Sequence, residues 1–178
     1  MRPKYWMCLC PALLGASFFA ACASSQPPAA NKTANVKAAE DLPYATAPLP
    51  DNGYKAKITI PDPPKKLRAG QQQIIQIKVQ NASDVFWKVR GGGADNKFYI
   101  AVGNRWLDAT GEKLLTQMDG RHGLPNNLKP GEEVEVPLQI TAPKDPGDYT
   151  LEIDLVQEQV TWFSAKGSPT ARVKIKVE

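Results

Sequence analysis

Asp145-Pro146-Gly147-Asp148-Tyr149-Thr150-Leu151 joins a Pro-Gly turn to a strand that starts with a tyrosine. This order is typical of a tyrosine corner, in which the tyrosine hydroxyl bonds to upstream backbone at the entry to a late strand of a β-sandwich. Leu151, Ile153 and Leu155 then alternate with polar residues, so one face of the strand is apolar. The stretch predicts a sandwich strand with Leu151 on its inner face.

Four further runs have apolar residues at every second position. They are Ala56, Ile58 and Ile60; Ile75, Ile77 and Val79; Val134, Val136, Leu138 and Ile140; and Val173, Ile175 and Val177. Turn signals such as Pro61-Asp62-Pro63-Pro64 and Pro130-Gly131 separate the runs. A short strand around Trp87 and another over 98–107 complete the pattern, whereas the glycine-rich segment 118–125 is expected to be irregular. No ten-residue segment beyond residue 22 has helical periodicity, so we predict an all-β fold of about seven strands.

Two spacings favour the immunoglobulin-like form of an antiparallel β-sandwich. Leu151 follows Tyr149 by two residues, which is where antibody domains carry their second cysteine. Trp87 follows Ile77 by ten residues, a spacing that suits the core tryptophan beside that disulfide. Apolar contacts would replace the bridge. We therefore predict a single immunoglobulin-like domain over residues 52–178.

The cysteines limit the covalent chemistry of the chain. Of three cysteines, Cys8 and Cys10 lie in an N-terminal leader, so only Cys22 is expected to remain and no intramolecular disulfide can form.

The charge balance of the chain is mildly basic. The 22 Lys and Arg residues oppose 18 Asp and Glu residues, and loss of Arg2 and Lys4 with the leader leaves a net charge of +2. This balance argues against nucleic acid as a partner.

The leader has the order of a secretory signal, with charged residues, then an apolar run, then small residues before a cysteine. Phe19-Ala20-Ala21-Cys22 resembles the lipobox of bacterial lipoproteins, which implies a signal peptide over 1–21 and a lipid on the thiol of Cys22. Ala23 in the next position implies, by resemblance to the sorting rule, a lipid anchor in the outer membrane that faces the periplasm or the surface. The alternative is an ordinary secreted protein cut near Ala21. A spanning helix is disfavoured, because the apolar run is shorter than the ~20 residues it needs and contains Pro11.

Residues 22–51 are rich in Ala, Pro, Ser, Asn and Thr. Such a composition cannot bury enough apolar surface to offset the entropy of ordering, so we expect a flexible tether. At about 5 to 6 Å times the square root of its length, a flexible tether of this size would hold the domain roughly 30 Å from the membrane.

A second resemblance covers roughly Ile74 to Val177. Its segments are 105–111 with Arg105-Trp106-Leu107-Asp108, Asp119-Gly120-Arg121 with Leu124-Pro125, Pro130-Gly131-Glu132, Pro146-Gly147-Asp148-Tyr149, and 154–163. They resemble a small immunoglobulin-like module that bacteria append to glycosyltransferases and other proteins of surface-polysaccharide pathways. The resemblance implies the fold, a non-catalytic accessory role and contact with glycan.

Residues that could support catalysis or metal binding are sparse. His122 is the only histidine, and no Ser or Cys lies close to it in sequence. Asp154 and Glu158 would stand about 13 Å apart on a continuous strand, beyond the roughly 10 Å limit for a glycosidase pair. Asp108 and Asp119 flank a turn, where aspartates usually cap backbone, and with Glu112 they lack the spacing of a calcium loop. We therefore expect no enzyme activity, no metal and no cofactor.

Aromatic residues are the better candidates for ligand contact. Trp162 and Phe163 are adjacent, so on a strand one faces the core and the other faces outward beside Gln157 and Glu158. Trp106 has the same two alternatives. The candidate ligand contacts are Trp106, Gln157, Glu158, Trp162 and Phe163. In the competing interpretation, the aromatic side chains only close the sandwich.

These observations favour a lipid-anchored envelope protein that contacts the membrane through its lipid and binds an envelope protein or a polysaccharide. The alternative is a structural subunit of an envelope complex without a ligand of its own, and a hydrolase has the least support. A binding module predicts an outward aromatic in a shallow polar groove. A structural subunit predicts an apolar patch or an open sheet edge. An enzyme predicts a pocket in which His122 or two carboxylates converge.

Overall fold

A computed structural model describes residues 42–116 and 119–178. In these ranges the chain forms ten strands and two 3₁₀ helices. The strands are β1 (Ala56–Thr59), β2 (Lys66–Leu67), β3 (Gln72–Asn81), β4 (Ile100–Leu107), β5 (Leu114–Thr116), β6 (Arg121–Gly123), β7 (Glu133–Thr141), β8 (Gly147–Gln157), β9 (Thr161–Trp162) and β10 (Ala171–Val177). The 3₁₀ helices are Asp51–Gly53 and Ser164–Lys166. The fold is all-β, as predicted.

Two sheets form the sandwich. The smaller sheet has the order β1-β3-β7, and the larger has the order β2-β10-β8-β4-β5, with β6 added to β4 and β9 added to β8. All pairs are antiparallel except β2 with β10. In immunoglobulin lettering, β1, β3 and β7 occupy the places of A, B and E, and β10, β8 and β4 those of G, F and C. The described part of the chain is therefore an immunoglobulin-like β-sandwich.

The core lies between the two sheets and follows the predicted period of two. On β3 the buried residues are Ile75, Ile77 and Val79, and on β7 they are Val136, Leu138 and Ile140. Leu151, Ile153 and Leu155 of β8 face them from the other sheet and have no exposed surface. Each strand thus contributes one apolar face to a shared interior.

The tyrosine corner is present where the sequence predicts it. The hydroxyl of Tyr149 donates a hydrogen bond of 2.9 Å to the carbonyl oxygen of Asp145. Two residues further along β8, Leu151 is fully buried and lies opposite Trp106 of β4 in the strand register. The tyrosine therefore fixes the turn that leads into the central strand of the larger sheet.

The assignment of the core tryptophan needs a correction. Trp87 is fully buried, but it precedes β4 and makes only an isolated bridge with Leu128 instead of a strand. Its indole nitrogen donates to the carbonyl oxygen of Gly53 at 2.8 Å. The tryptophan on the strand equivalent to C is Trp106, which pairs with Leu151. Spacing from Ile77 could not separate the two, because the loop before β4 is long.

The segment predicted as a tether divides at the edge of the described residues. Residues 22–41 lie outside them, whereas residues 42–51 lie against the sandwich. The backbone nitrogen of Ala45 donates to the carbonyl oxygen of Arg90 at 2.6 Å, and that of Leu49 donates to Oε1 of Gln157 at 3.0 Å. Leu49 also packs against the core. The chain thus already contacts the domain at Ala45, seven residues before the boundary predicted at residue 52.

Candidate functional site

Three of the five predicted contact residues lie inside the sandwich. Trp106 is 1% exposed, and Gln157 and Phe163 have no exposed surface. Trp162 and Glu158 remain half-buried at the outer face of the larger sheet. The structure therefore does not place Trp106, Gln157 and Phe163 where a ligand could reach them, and it brings only Trp162 and Glu158 to a surface.

Trp106 is buried because β4 turns its even-numbered residues inward. Its indole nitrogen donates to Oδ2 of Asp119 at 3.4 Å. The same oxygen accepts from Nδ2 of Asn104 at 3.1 Å and from the backbone nitrogen of Thr141 on β7. Asp119 therefore joins a strand of the larger sheet to a strand of the smaller sheet, and its role is structural.

Gln157 is a polar residue satisfied inside the core. Its Oε1 accepts from the hydroxyl of Tyr54 at 2.6 Å and from the backbone nitrogen of Leu49 at 3.0 Å, and its Nε2 donates to the carbonyl oxygen of Phe98 at 3.4 Å. Burial, assisted by the charge of Asp51, raises the pKa of Tyr54. Gln157 thus anchors the segment before β1 to the end of β8.

Phe163 occupies the interior end of the pair that the sequence singles out. Its ring meets the rings of Tyr54 and Trp87 edge-to-face, with centroid distances of 5.1 Å and 5.3 Å. Trp162 is the last residue of β9 and lies on the outer face of the larger sheet, above Gly103. The prediction that one of the two aromatics faces inward and one outward is confirmed, with Trp162 outward.

Trp162 lies across the outer face of the larger sheet above Gly103. A Cβ on Gly103 would come within 3.0 Å of the ring carbon Cη2. The guanidinium carbons of Arg105 and Arg121 each lie 4.8 Å from the ring centroid. This distance is typical of cation–π contacts. Two cations therefore hold the ring, and Gly103 leaves the space in which it lies.

Carboxylates on β8 and on the turn that follows it hold the two arginines. Arg105 Nη2 lies 2.9 Å from Oε2 of Glu152 and 3.1 Å from Oδ2 of Asp154. Arg121 Nη1 lies 2.9 Å from Oε1 of Glu158. Burial raises the pKa of Asp154, against the lowering by a hydrogen bond from Ser164 and by the charge of Arg105. The network orders the outer face around Trp162.

A shallow cleft opens beside this network, and we call it the Tyr99 cleft. Its polar and aromatic lining consists of Asp95, Asn96, Tyr99, Arg121, Glu158 and Gln159, and Ala101 and Gly123 complete it. Its volume is about 530 Å³, within the roughly 300–1,000 Å³ of small-ligand pockets. Four segments form it: the loop before β4, the start of β4 at Ala101, the strand β6 and the turn between β8 and β9.

Strained backbone is concentrated at the Tyr99 cleft. Among the described residues, the non-glycine residues with positive φ are Asn96 at 57°, Phe98 at 67° and Gln159 at 59°. All three belong to the segments that line the cleft. A positive φ is unusual for a bulky aromatic such as Phe98, and strain of this kind often marks functional sites.

The other residues weighed for chemistry have structural surroundings. His122 is exposed on β6 and lies opposite Val102 in the register. Oδ1 of Asp108 accepts from the hydroxyl of Thr110 at 2.7 Å and from three backbone nitrogens of the turn. The bond from Thr110 is the main reason that the pKa of Asp108 is lowered. Within 42–116 and 119–178, no three His, Cys, Asp or Glu side chains are placed to hold a metal ion.

The sequence alone does not identify Tyr99, Arg121 and Gly123 as members of a site. Arg121 and Gly123 fall in a segment expected to be irregular, but this segment forms β6 and pairs with β4. A Cβ on Gly123 would lie 1.9 Å from Cε1 of Tyr99, so the ring lies directly over that glycine. The glycine content of the segment was the one available signal, and it does not identify the aromatic partner.

Cys22 lies outside the described residues. In the part of the chain that the structure describes, no helix has the length and apolar character needed to span a membrane.

Comparisons with known proteins give distant structural similarities. No protein-family model and no curated protein matches the chain. A β-glucosidase from Listeria innocua in complex with laminaribiose is similar with a TM-score of 0.44 and 14% identity, over 70% of this chain and 16% of that chain. The CARDB domain of a Pyrococcus furiosus protein has a TM-score of 0.39 and 15% identity, over 69% of this chain and 92% of that domain. The sporulation control protein Spo0M from Bacillus subtilis has a TM-score of 0.40 and 15% identity, over 70% of this chain and 49% of that chain. The chain thus spans about a sixth of the glucosidase and half of Spo0M, and the immunoglobulin-like assignment rests on the strand order and the tyrosine corner.

Proposed function

We propose that this chain is a lipid-anchored cell-envelope protein whose immunoglobulin-like domain binds an envelope polysaccharide or protein without catalysing a reaction. The observation that carries the proposal is the outer face of the larger sheet. There the half-buried Trp162 is held by Arg105 and Arg121 beside a shallow polar cleft. This arrangement is the one expected of a binding module, in which an outward aromatic has polar neighbours.

The geometry of the carboxylates supports a non-catalytic role. In the Tyr99 cleft, Asp95 is exposed and its Oδ1 accepts from the backbone nitrogen of Lys97 at 3.1 Å. Glu158 is paired with Arg121 at 2.9 Å. The buried Asp154 is covered by Ser164 and Arg105 and does not line that cleft.

The lipid anchor follows from the resemblance of Phe19-Ala20-Ala21-Cys22 to a lipobox, and an outer-membrane location follows from Ala23. Mass spectrometry of the purified mature protein should find an acylated N-terminal Cys22. The Cys22→Ser variant should lose labelled fatty acid, whereas Cys10→Ser in the leader should keep it. An unmodified thiol, or a mature chain that begins at another residue, would rule out the anchor.

Binding is tested by capture from envelope fractions. The purified full-length protein should retain a polysaccharide or an envelope protein that the Trp162→Ala variant retains at least fivefold less. Phe86→Ala removes a 43% exposed aromatic outside this face and serves as the matched control. Equal retention by wild type and Trp162→Ala would show that the outer face of the larger sheet is not the binding surface.

A structural subunit remains the second candidate, because β5 carries exposed apolar residues. Leu114 is 40% exposed and Leu115 is 43% exposed, and β5 ends the strand order of the larger sheet. Open edges of this kind can add a strand from a partner. If Leu115→Lys releases a captured envelope protein and Trp162→Ala does not, the structural role is favoured over ligand binding by the outer face.

A further inference from the structure

We infer that the Tyr99 cleft is a saccharide-binding site that takes one or two neutral sugar residues. The inference rests on the proposed binding function and narrows it to a ligand class and a location. Three features carry it: the chemistry of the lining, the placement of Tyr99 and the preformed backbone of the cleft.

The lining offers hydrogen-bond donors and acceptors side by side. Asn96 supplies an amide with both. Gln159 supplies its amide oxygen as an acceptor, while its Nε2 already donates to the carbonyl oxygen of Asp95. Asp95 supplies acceptors, and Arg121 and Glu158 form an ion pair at their 2.9 Å separation. Adjacent hydroxyl groups on a sugar ring each donate and accept, and so match such a mixture. A purely anionic ligand matches poorly, because the lining has two carboxylates and one guanidinium.

Tyr99 supplies the aromatic surface that a pyranose ring needs. Its side chain is half-buried in the wall of the cleft, and its ring lies over Gly123. The guanidinium carbon of Arg90 lies 5.9 Å from the ring centroid. An aromatic side chain combines an apolar face, on which the C–H groups of a sugar can pack, with a polar hydroxyl at its tip. The cleft therefore presents apolar and polar contacts at one position.

The backbone around the cleft is fixed before a ligand arrives. The backbone nitrogen of Phe98 donates to the carbonyl oxygen of Glu158 at 3.1 Å. The backbone nitrogen of Glu158 in turn donates to the carbonyl oxygen of Tyr99 at 2.8 Å. Nε2 of Gln159 donates to the carbonyl oxygen of Asp95 at 2.7 Å. The loop before β4 and the turn after β8 are thus bonded together, so a ligand does not have to order them.

The location of the cleft agrees with this use. It lies next to Trp162 through their common neighbour Arg121, which lines the cleft and contacts the indole ring. A sugar chain longer than the cleft would therefore reach Trp162. The site thus accounts for the two sequence candidates that are still at the surface, Glu158 and Trp162.

The test measures saccharide binding by the purified full-length protein. Saturation-transfer NMR and calorimetry are carried out with cello-, malto-, manno-, galacto- and chito-tetraoses, and with tri-galacturonate as the charged comparator. At least one neutral oligosaccharide should bind, and tri-galacturonate should bind at least tenfold more weakly. Tyr99→Ala should weaken binding at least tenfold. Gly123→Ala should also weaken it, because the new Cβ would occupy the place of the Tyr99 ring.

Asn96→Gly tests the site without disturbing the fold, in case Tyr99→Ala or Gly123→Ala does not fold. Glycine adopts the φ of 57° at this position without strain, so the variant removes only the amide. It should bind the neutral oligosaccharide at least threefold more weakly at an unchanged melting temperature, and Phe86→Ala should bind as wild type does. When the protein is incubated with a bound oligosaccharide, the concentration of reducing ends should not increase with time, because the domain does not hydrolyse it.

The possible failures are distinguishable. Binding that Tyr99→Ala, Gly123→Ala and Asn96→Gly all leave within twofold of wild type would overturn the site but leave the proposed function standing. Absence of binding to every saccharide, or preference for tri-galacturonate, would overturn the inference, while capture of an envelope protein would still support the proposed function. Hydrolysis of a bound oligosaccharide would contradict the non-catalytic proposal itself.

Discussion

The six-membered ring of Trp162 lies so close to Gly103 that a Cβ on residue 103 would be 3.0 Å from Cη2 and 3.3 Å from Cζ3. Glycine in the middle of a strand usually lowers stability, because it packs no side chain and costs entropy. Here it makes room for an aromatic ring from β9 to lie across β4. The outer face of the larger sheet therefore has its aromatic ring in the space that a side chain at residue 103 would occupy.

Replacing this glycine should separate strand propensity from packing. Gly103→Ala should be close to neutral, because a better strand residue offsets a tight contact. Gly103→Val should lower the free energy of unfolding by about 1–3 kcal/mol, as overpacking does. Urea unfolding measures both. In a Trp162→Ala background the cost of valine should disappear, and a cost that persists would show that the ring is not the obstacle.

The tyrosine corner should contribute measurably to stability although it lies at the surface. Tyr149→Phe removes the hydroxyl that donates to the Asp145 carbonyl oxygen and leaves the ring that packs edge-to-face with Trp106, at a centroid distance of 6.3 Å. We expect a loss of about 0.5–1.5 kcal/mol in urea unfolding. Tyr44→Phe makes the same chemical change before β1. Equal effects of the two substitutions would argue against a special role for the corner.

The sequence was sufficient for the parts of the fold that depend on local pattern. Alternation predicts the inner faces of β3, β7, β8 and β10, because the side of a strand that faces the core is apolar at a period of two. The Pro-Gly-Asp-Tyr run located the corner, because its hydrogen bond spans only four residues. Both features are decided within a few residues of chain.

What the sequence could not decide depends on contacts between distant segments. Trp106 and Trp162 have similar polar and apolar neighbours in sequence. Trp106 points into the core and its indole N–H donates to Asp119, whereas Trp162 lies on the outer face, where Gly103 leaves room for its ring. Tyr99 belongs to the cleft because β6 places Gly123 beneath it. Such pairings follow from register and loop geometry, which alternation alone does not fix.

The link between the two sheets through Asp119 should be sensitive to loss of its carboxylate. Asp119→Ala removes the common acceptor of the Trp106 indole, the Asn104 amide and the Thr141 backbone nitrogen. Because Asp119 is exposed, water can replace part of these hydrogen bonds, so the variant should lose about 0.5–1.5 kcal/mol in urea unfolding. Asp148→Ala at the exposed start of β8 is the control. A loss for Asp119→Ala no larger than for this control would refute the linking role.

Asp154 should give the protein a recognisable dependence of stability on pH. Its side chain is fully buried against Arg105, and burial raises its pKa above the ordinary value of about 4. Between that value and the raised pKa, the folded state binds more protons than the unfolded state, so this group makes the free energy of unfolding fall as pH rises. The slope for one group cannot exceed about 1.4 kcal/mol per pH unit.

Asp154→Asn cannot titrate and keeps an oxygen that can accept from Leu155. Its stability relative to wild type should therefore increase with pH across this window, as measured by urea unfolding at several pH values. A constant difference between Asp154→Asn and wild type would mean that the carboxyl group of Asp154 does not titrate in this window.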